Sequence, residues 1–232
     1  MAGWGWGWEP ALDTGAASPE VVVVPRRRPV FARVYHRMAP SMDEQGAAEH
    51  RRRLLAGLTG DVVEVGAGAG ANFGHYPDGV GTVLALEPEP YLRARAAERA
   101  AGVRADVRVV DATAERIPVA DASVDVVVAS LVLCSVADQA VALREMSRVL
   151  RAGGRLRFYE HVAATAGRLR TVQRLADATV WPFFLGGCHT GRDTLGAIRA
   201  AGFVVDDADR FDFPAGVASP AAPHVLGSAT RP

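Results

Sequence analysis

The stretch Asp61-Val-Val-Glu-Val-Gly-Ala-Gly-Ala-Gly70 decides the fold. Its first five residues are a short, mostly apolar run, bounded by Thr59-Gly60 on one side and glycines on the other. That is the pattern of a strand buried on both faces of a parallel sheet. Gly66, Gly68 and Gly70 then make a turn in which backbone approaches a ligand without Cβ obstruction. From Ala71 onward the sequence reads as the start of a helix whose first amides face the same point. Strand, glycine turn and helix together predict a nucleotide-cofactor site, and the glycines alone leave the cofactor open.

Toward the C-terminus the same rhythm repeats. A strand over Thr82–Leu86 ends in Glu87-Pro88, and an Ala/Arg-rich helix covers Glu89–Ala101. The next strand, Asp106–Val110, ends at Asp111-Ala112, and Ser123–Ala129 is a fourth strand. Leu131–Val136 loop into a helix over Asp138–Leu150, and Gly153-Gly154 turn the chain into a fifth strand, Arg155–Tyr159, ending at Glu160-His161. Phe203–Asp206 and His224–Ala229 add an antiparallel edge. The expected fold is α/β: a doubly wound, Rossmann-like seven-stranded sheet, mostly parallel with an antiparallel edge hairpin.

Toward the N-terminus two helices are predicted. Phe31–Met38 has apolar residues at helical intervals and is ended by Pro40. Glu44–Leu58 carries Leu54, Leu55 and Leu58 on one side and Arg51–Arg53 largely on the other. Both are expected to lie over the cofactor mouth (residues 30–60), with Tyr35 facing the ligand. Residues 1–29 differ in composition: Trp4, Trp6 and Trp8 alternate with glycine, and Pro25-Arg-Arg-Arg-Pro29 follows Val21–Val24. They are read as a flexible extension preceding a single domain over 30–232. The rival reading is a stacking or membrane-surface patch, which lacks helical amphipathic spacing.

Composition narrows the function classes. A chain of 232 residues, 49% hydrophobic, buries one substantial core. Formal net charge is +0, against the basic surplus of a general nucleic-acid binder. Two cysteines are no disulfide framework and suit a reducing, cytoplasmic setting. No apolar run approaches the ~20 residues that span a bilayer, and no secretory leader is read. Monomer and homodimer are both compatible with the sequence.

Gly66-Ala-Gly-Ala-Gly-Ala71 also satisfies the dinucleotide pattern, so a nicotinamide-dependent oxidoreductase is a rival. Glu64, Asp111 and the later runs Asp121–Ser130 and Val149–Arg155 tilt the choice, and Glu87 serves the ribose of either cofactor. Glu64 precedes Gly66 by two residues and suits a cofactor carrying an ammonium group, whereas a pyrophosphate gains nothing from it. Glu87 lies about one βαβ repeat beyond the glycines, where a carboxylate accepts ribose hydroxyls. Asp111 directly follows strand three, where it can accept from an exocyclic adenine amine.

With Asp121–Ser130 and Val149–Arg155 added, the sequence resembles the class I S-adenosylmethionine-dependent methyltransferases from about Val30 to the C-terminus. The resemblance implies that Glu64, Gly66, Ala67, Gly68 and Gly70 hold the methionine part of S-adenosyl-L-methionine. It places Glu87, with Pro88 beside it, on the ribose and Asp111-Ala112 on adenine, and brings the backbone of Ser130 and Leu131 to the methionine ammonium. More narrowly, Gly68-Ala-Gly-Ala-Asn-Phe73 (adding Asn72 to the cofactor set), Tyr76-Pro77, Leu131-Val-Leu-Cys-Ser-Val136, Tyr159-Glu-His-Val-Ala163, Trp181-Pro182, Gly187-Cys188 and His224-Val-Leu-Gly227 are similar to a group of alkyl thiol S-methyltransferases. Animal members of that group begin with a hydrophobic anchor that is not read here, so no stable membrane insertion is expected. After Cys188 this chain has His-Thr-Gly-Arg where the group has x-Leu-Thr-Arg. The resemblance implies methyl transfer to a small molecule, a thiol first, with O- or N-methylation of a natural product, quinone or lipid as the alternative. A cofactor-binding module without chemistry is the non-enzyme alternative.

A thiol near a sulfonium needs little chemical help, whereas a hydroxyl or ammonium acceptor needs a base. His161, at the carboxyl end of strand five, is the best-placed catalytic candidate; the other reading is that Glu160 and His161 cap or pair locally. Residues 165–192 form an acceptor-side insertion whose Trp181, Phe183 and Phe184 suit a wall and lid; the other reading packs them onto the sheet edge. No Asp/Asn-Pro-Pro-aromatic sequence follows strand four, which lowers nucleic-acid bases as targets. Cys134 is read as a buried small hydrophobe. Cys188-His189 is too small a pair for a metal, and no metal is expected.

Overall fold

The computed structural model describes residues 29–179 and 181–232. The expectations for residues 1–28, tryptophans included, lie outside the described residues.

Seven strands form one sheet: β1 (Gly60–Val65), β2 (Val80–Leu86), β3 (Asp106–Val110), β4 (Val124–Ser130), β5 (Leu150–His161), β6 (Val204–Asp212) and β7 (Pro223–Thr230). Their order is β3-β2-β1-β4-β5-β7-β6, and β7 alone runs against its neighbours. The apolar runs explain the centre. Val62, Val63 and Val65 of β1 are buried, as are Val126–Ala129 of β4, because helices cover both faces. Each such valine contributes roughly 1.5–3 kcal/mol by leaving water. The chain leaves β1 toward β2 on one side and returns to β4 on the other. The crevice beyond the carboxyl ends of β1 and β4 is the switch point where ligands bind in open α/β sheets.

The helices are α1 (Pro29–Met42), α2 (Ala48–Leu55), α3 (Pro90–Ala100), α4 (Gln139–Val149), α5 (Arg168–Asp177), α6 (Trp181–Phe184) and α7 (Thr194–Ala200). Asp138 caps α4, its carboxylate accepting from Ala140 and Val141 amides, and Glu89 caps α3 through the Leu92 amide. Among the described residues no helix is long and apolar enough to cross a membrane.

Three local expectations are corrected. Pro40 does not end α1, which runs on to Met42 and passes through a wide turn, Asp43–Ala47, where Gly46 sits at φ +120°. The second helix therefore starts at Ala48. Arg51 is buried rather than solvated, at 4% exposure, because it lies three and four residues from Leu54 and Leu55 and shares their face. The helix predicted from Ala71 is only a short turn, Phe73–His75. Phe73 folds back over Gly70, and Gly74, Pro77 and Gly79 leave no room for a longer helix before β2. The helix-terminus argument for binding an anion at the glycine turn lapses with it.

Candidate active site

The glycine turn is stitched to β2. The Ala67 amide donates to the Leu86 carbonyl at 2.9 Å, and the Gly70 amide to the Ala67 carbonyl at 2.9 Å. Gly66, Gly68 and Gly70 all have φ between +58° and +76°, the left-handed region where a side chain is strained. A Cβ on Gly66 would lie 2.5 Å from Val132, and one on Gly70 2.5 Å from Phe73. One on Gly68 would meet only Tyr35, at 4.0 Å. Protein therefore fills the space beside the outer glycines, while Gly68 opens onto space that α1 faces with Tyr35. That opening leaves room for a cofactor to lie against the backbone.

Beneath it runs a buried polar chain. Arg51 donates from Nε to Asp43 (3.2 Å) and from a guanidinium nitrogen to the Asn72 side-chain oxygen (3.3 Å). Asn72 donates to Glu64 at 2.9 Å, and the Tyr76 hydroxyl donates to the other Glu64 oxygen at 2.7 Å. Burial pushes the Glu64 carboxyl up to about 7, against the pull of Tyr76, Asn72 and Arg51. Glu64 thus lies under the turn and braces it, with Asn72 as the link to the N-terminal helices. Arg51 was missed from sequence, although its spacing to Leu54 and Leu55 carried the signal.

Glu87 stands at the end of β2 and accepts from the Gly68 and Glu89 amides, both at 2.8 Å. Burial raises its pKa, and those amides oppose the rise. Each oxygen keeps a lone pair for a further donor. Asp111 is exposed and ion-paired with Arg93 at 3.0 Å; Arg93 also donates to the carbonyls of Glu87 and Pro88. Ala112 packs against the core beside it. Ser130 ends β4 with its hydroxyl buried and without a partner among the described residues. Leu131 follows at φ +60°, its amide donating to the Tyr159 carbonyl at 2.7 Å. A leucine held there costs about 1–2 kcal/mol. An orphaned hydroxyl, a strained residue and an open glycine cradle meet at one end of β1 and β4, and they fit a bound S-adenosylmethionine.

The carboxyl end of β5 is organised by Glu160, which is completely buried. One of its oxygens accepts from the Val132 and Leu133 amides (2.9 Å each) and the other from Cys134 (3.2 Å), fixing the loop after β4. His161 follows at the end of β5. Its Nδ1 stands 3.5 Å from the Cys134 sulfur and 3.5 Å from the Cys188 sulfur. Burial works to lower the His161 pKa, but Cys134 and Glu160 more than offset it. The Cys134 thiol is pushed up by Cys188 and by burial. His224, its ring tilted against that of His161 at a centroid distance of 4.5 Å, is pushed down to about 3 by burial and the His161 charge, and its Nδ1 donates to the Ala222 carbonyl at 2.7 Å.

Cys134 is buried, as expected, but it is part of a cluster rather than a lone hydrophobe. Cys188 meets His161 and Cys134, and the neighbouring His189 amide donates to the Cys134 carbonyl at 2.8 Å. The insertion is held by Gln173, which serves Ala164, Val162, Thr190 and Pro220, and by Asp177, which accepts from Thr190 and Gly191. It meets α1 where the Phe31 ring lies on Gly186. Its aromatic wall is not as predicted. Phe183 and Phe184 are 76% and 64% exposed and pack on each other, because the four-residue α6 turns both outward.

Fold and site together define a Rossmann-like methyltransferase. A family model of the methyltransferase domain matches residues 63–158. The mouse thiol S-methyltransferase TMT1B is 38% identical over 182 residues, covering 76% of this chain and 74% of the relative. The human thiol S-methyltransferase TMT1A is 38% identical over 172 residues, covering 69% and 70%. Among solved structures, a possible histamine N-methyltransferase from Thermotoga maritima superposes with TM-score 0.62 at 22% identity, covering 88% of this chain and 98% of that one. A geranyl diphosphate methyltransferase in complex with its methyl donor gives TM-score 0.63 at 17% identity, covering 90% and 93%. The chain belongs to the thiol S-methyltransferase family of S-adenosylmethionine-dependent methyltransferases. It is a methyl-transferring enzyme that uses S-adenosyl-L-methionine, and the nicotinamide alternative falls away.

Proposed function

We propose that the enzyme transfers the sulfonium methyl to the sulfur of a small apolar thiol. The observation that carries this reading is the composition of the acceptor end. The buried Glu160 carboxylate is spent on three backbone amides, and His224 is held near 3. Two sulfurs and the His161 imidazole are what the crevice offers beside Ser130 and Leu131. With Glu160 and His224 so engaged, that environment suits an acceptor that ionises near pH ~8.5 and lower beside a cation. The names of the curated relatives support the same acceptor.

In this reading Glu87 takes the ribose hydroxyls, with Pro88 shaping that turn. Asp111 and Ala112 flank adenine. Gly66, Ala67, Gly68 and Gly70, braced by Glu64 and Asn72, hold the methionine part with the Ser130 and Leu131 backbone, and Tyr35 closes the cradle. Catalysis is in-line positioning: the acceptor sulfur–carbon bond forms as the sulfonium carbon–sulfur bond breaks, and the acceptor proton leaves for solvent before the transfer. His161 orders the acceptor side. We read the chain as a cytoplasmic monomer or homodimer acting on free small molecules rather than nucleic acid, which its zero formal charge supports.

The test is an acceptor screen with isotopically labelled S-adenosylmethionine, pairing each alkyl and aryl thiol with its hydroxyl and amine counterpart. Methyl thioethers are expected as the dominant products. Labelling confined to hydroxyls or amines overturns the thiol assignment. Binding of S-adenosylhomocysteine with no transfer to any acceptor points to a module without chemistry.

A further inference from the structure

The cluster at the acceptor end has a second use. We propose that Cys134 Sγ, His161 Nδ1 and Cys188 Sγ form a three-ligand site for a thiophilic divalent cation of the zinc type, leaving a fourth position for the acceptor sulfur. The second half of this proposal rests on the thiol reading above; the first half does not.

The geometry comes first. The three ligand atoms lie within 4.8 Å of one another, and both sulfurs stand 3.5 Å from the same nitrogen. A tetrahedral zinc ion with zinc–sulfur bonds of about 2.3 Å and a zinc–nitrogen bond of about 2.0 Å has a sulfur-to-nitrogen edge of about 3.6 Å. Two edges of that tetrahedron are already present.

The ligands are also held in place. Cys134 hangs on the loop that Glu160 fastens, and His161 is the last residue of β5, paired with His224 of β7. Cys188 closes a turn in which its amide donates to the Leu185 carbonyl at 3.0 Å, and the neighbouring His189 amide ties that turn to Cys134. A site whose backbones are fixed by other bonds spends little binding energy on ordering its ligands.

The donor set selects the ion. Glu160 is the adjacent carboxylate, and its oxygens face amides, so a hard oxygen-seeking cation such as magnesium or calcium finds no partner there. Two thiolates and an imidazole suit zinc. Three protein ligands with one open position is the format of a catalytic rather than a structural zinc site.

The balance is simple. Each cysteine gives up one proton when the cation enters. The acceptor thiol gives its proton to solvent on taking the fourth position as thiolate. Its sulfur–carbon bond then forms as the sulfonium bond breaks, and the neutral thioether, a weak ligand, departs.

The experiment uses the full chain purified without chelator. Metal content is measured first, and the zinc is then exchanged for cobalt(II), whose bonds to thiolate give a near-ultraviolet charge-transfer band. Wild type is expected to hold about one zinc per chain and to show the band. Cys134→Ser and Cys188→Ser are expected to lose both while still binding S-adenosylhomocysteine, which shows that each variant is folded. Addition of an alkyl thiol to the cobalt form is expected to shift the band. Metal-free protein that takes up no cobalt with both thiols free overturns the site and leaves a hydrogen-bonded thiol pair. A Cys134–Cys188 disulfide, seen as thiols that resist labelling until reduced, overturns it equally. A cobalt band that ignores thiols in an enzyme that methylates them removes the acceptor from the fourth position. A cobalt band in an enzyme that methylates no thiol leaves the metal site standing and overturns the thiol reading instead.

Discussion

The two ends of the ligand crevice are built on different plans. In the proposed reading the cofactor end is made of short runs that each finish a strand: Glu64–Gly70 on β1, Glu87-Pro88 on β2, Asp111-Ala112 on β3 and Ser130-Leu131 on β4. Its parts are backbone shape and side chains a residue or two from a strand end. The proposed acceptor end joins Cys134, His161 and Cys188, each separated from the next by 27 residues, and depends on Glu160, Gln173 and Asp177 to bring loops together. A site made of residues next to strand ends can be encoded locally. An acceptor pocket is free to use whatever the loops deliver.

The largest effect is expected from breaking the local plan at its tightest point. In Gly66→Ala the new Cβ would lie 2.5 Å from Val132 at a backbone φ of +60°. Overpacking and left-handed strain together should cost about 2–4 kcal/mol of stability. S-adenosylhomocysteine binding, measured calorimetrically, should be lost with it. Gly68→Ala is the matched control: its Cβ meets nothing closer than 4.0 Å, so the strain of about 1–2 kcal/mol stands alone. Binding should still fall, because the methyl group occupies the cradle. If Gly68→Ala binds the product normally, the ligand does not lie where the comparison puts it.

The long-range plan is broken at Glu160. Glu160→Gln keeps the size but replaces one acceptor oxygen with an amide donor facing the Cys134 or Val132 and Leu133 amides. Buried donors left without acceptors should cost about 2–3 kcal/mol in thermal or urea unfolding. Product binding should survive while acceptor KM rises several-fold. Equal losses on both sides would show that the two ends are one unit.

These two ends also differ in how far the sequence revealed them. The fold followed from apolar runs ended by Gly, Glu or Asp at a βαβ rhythm, because burial on both faces leaves a continuous apolar signal. Glu64, Glu87, Ser130 and Leu131 stand at strand ends, where short-range spacing in the sequence puts them. What was missed depends on tertiary position. The insertion did not announce that α6 would turn Phe183 and Phe184 outward, and no spacing rule joins Cys134 to Cys188. The absent helix after Gly70 was a failure of a different kind: Gly74, Pro77 and Gly79 were in view and spoke against it.

A smaller, pH-dependent effect tests whether Glu64 senses the ligand. Its pKa is raised from 4.5 to about 7 by burial, so between those values the folded protein holds a proton that the unfolded chain has released. The stability contributed in this way is complete below pH 4.5 and is lost as pH rises toward 7, by up to about 1.4 kcal/mol per unit. Other buried carboxyls share that sign, so the measurement is the difference between wild type and Glu64→Gln, which should flatten the curve over that window. A cationic cofactor favours the ionised form. Its binding near neutral pH should therefore release protons, seen as a dependence of calorimetric heat on buffer ionisation that Glu64→Gln lacks. Equal heats in all buffers would reduce Glu64 to a brace for Asn72 and Tyr76.

The smallest expected effect is at the surface of the acceptor-side insertion. Phe183 and Phe184 are mostly exposed, and their rings meet at a centroid distance of 5.2 Å. Replacing both by serine removes an edge-to-face ring contact in water, where little apolar area is withdrawn in the folded state. Stability should change by no more than about 0.5 kcal/mol. The pinning of the insertion through Gln173 and Asp177 does not involve these rings, so kcat/KM for a thiol acceptor should stay within about twofold of wild type. A much larger fall in kcat/KM, with product binding intact, would mean that the rings swing inward when the acceptor binds. The acceptor end would then complete itself around its substrate, while the cofactor end stands ready without one, and the contrast between the two plans would become one of motion as well as of sequence range.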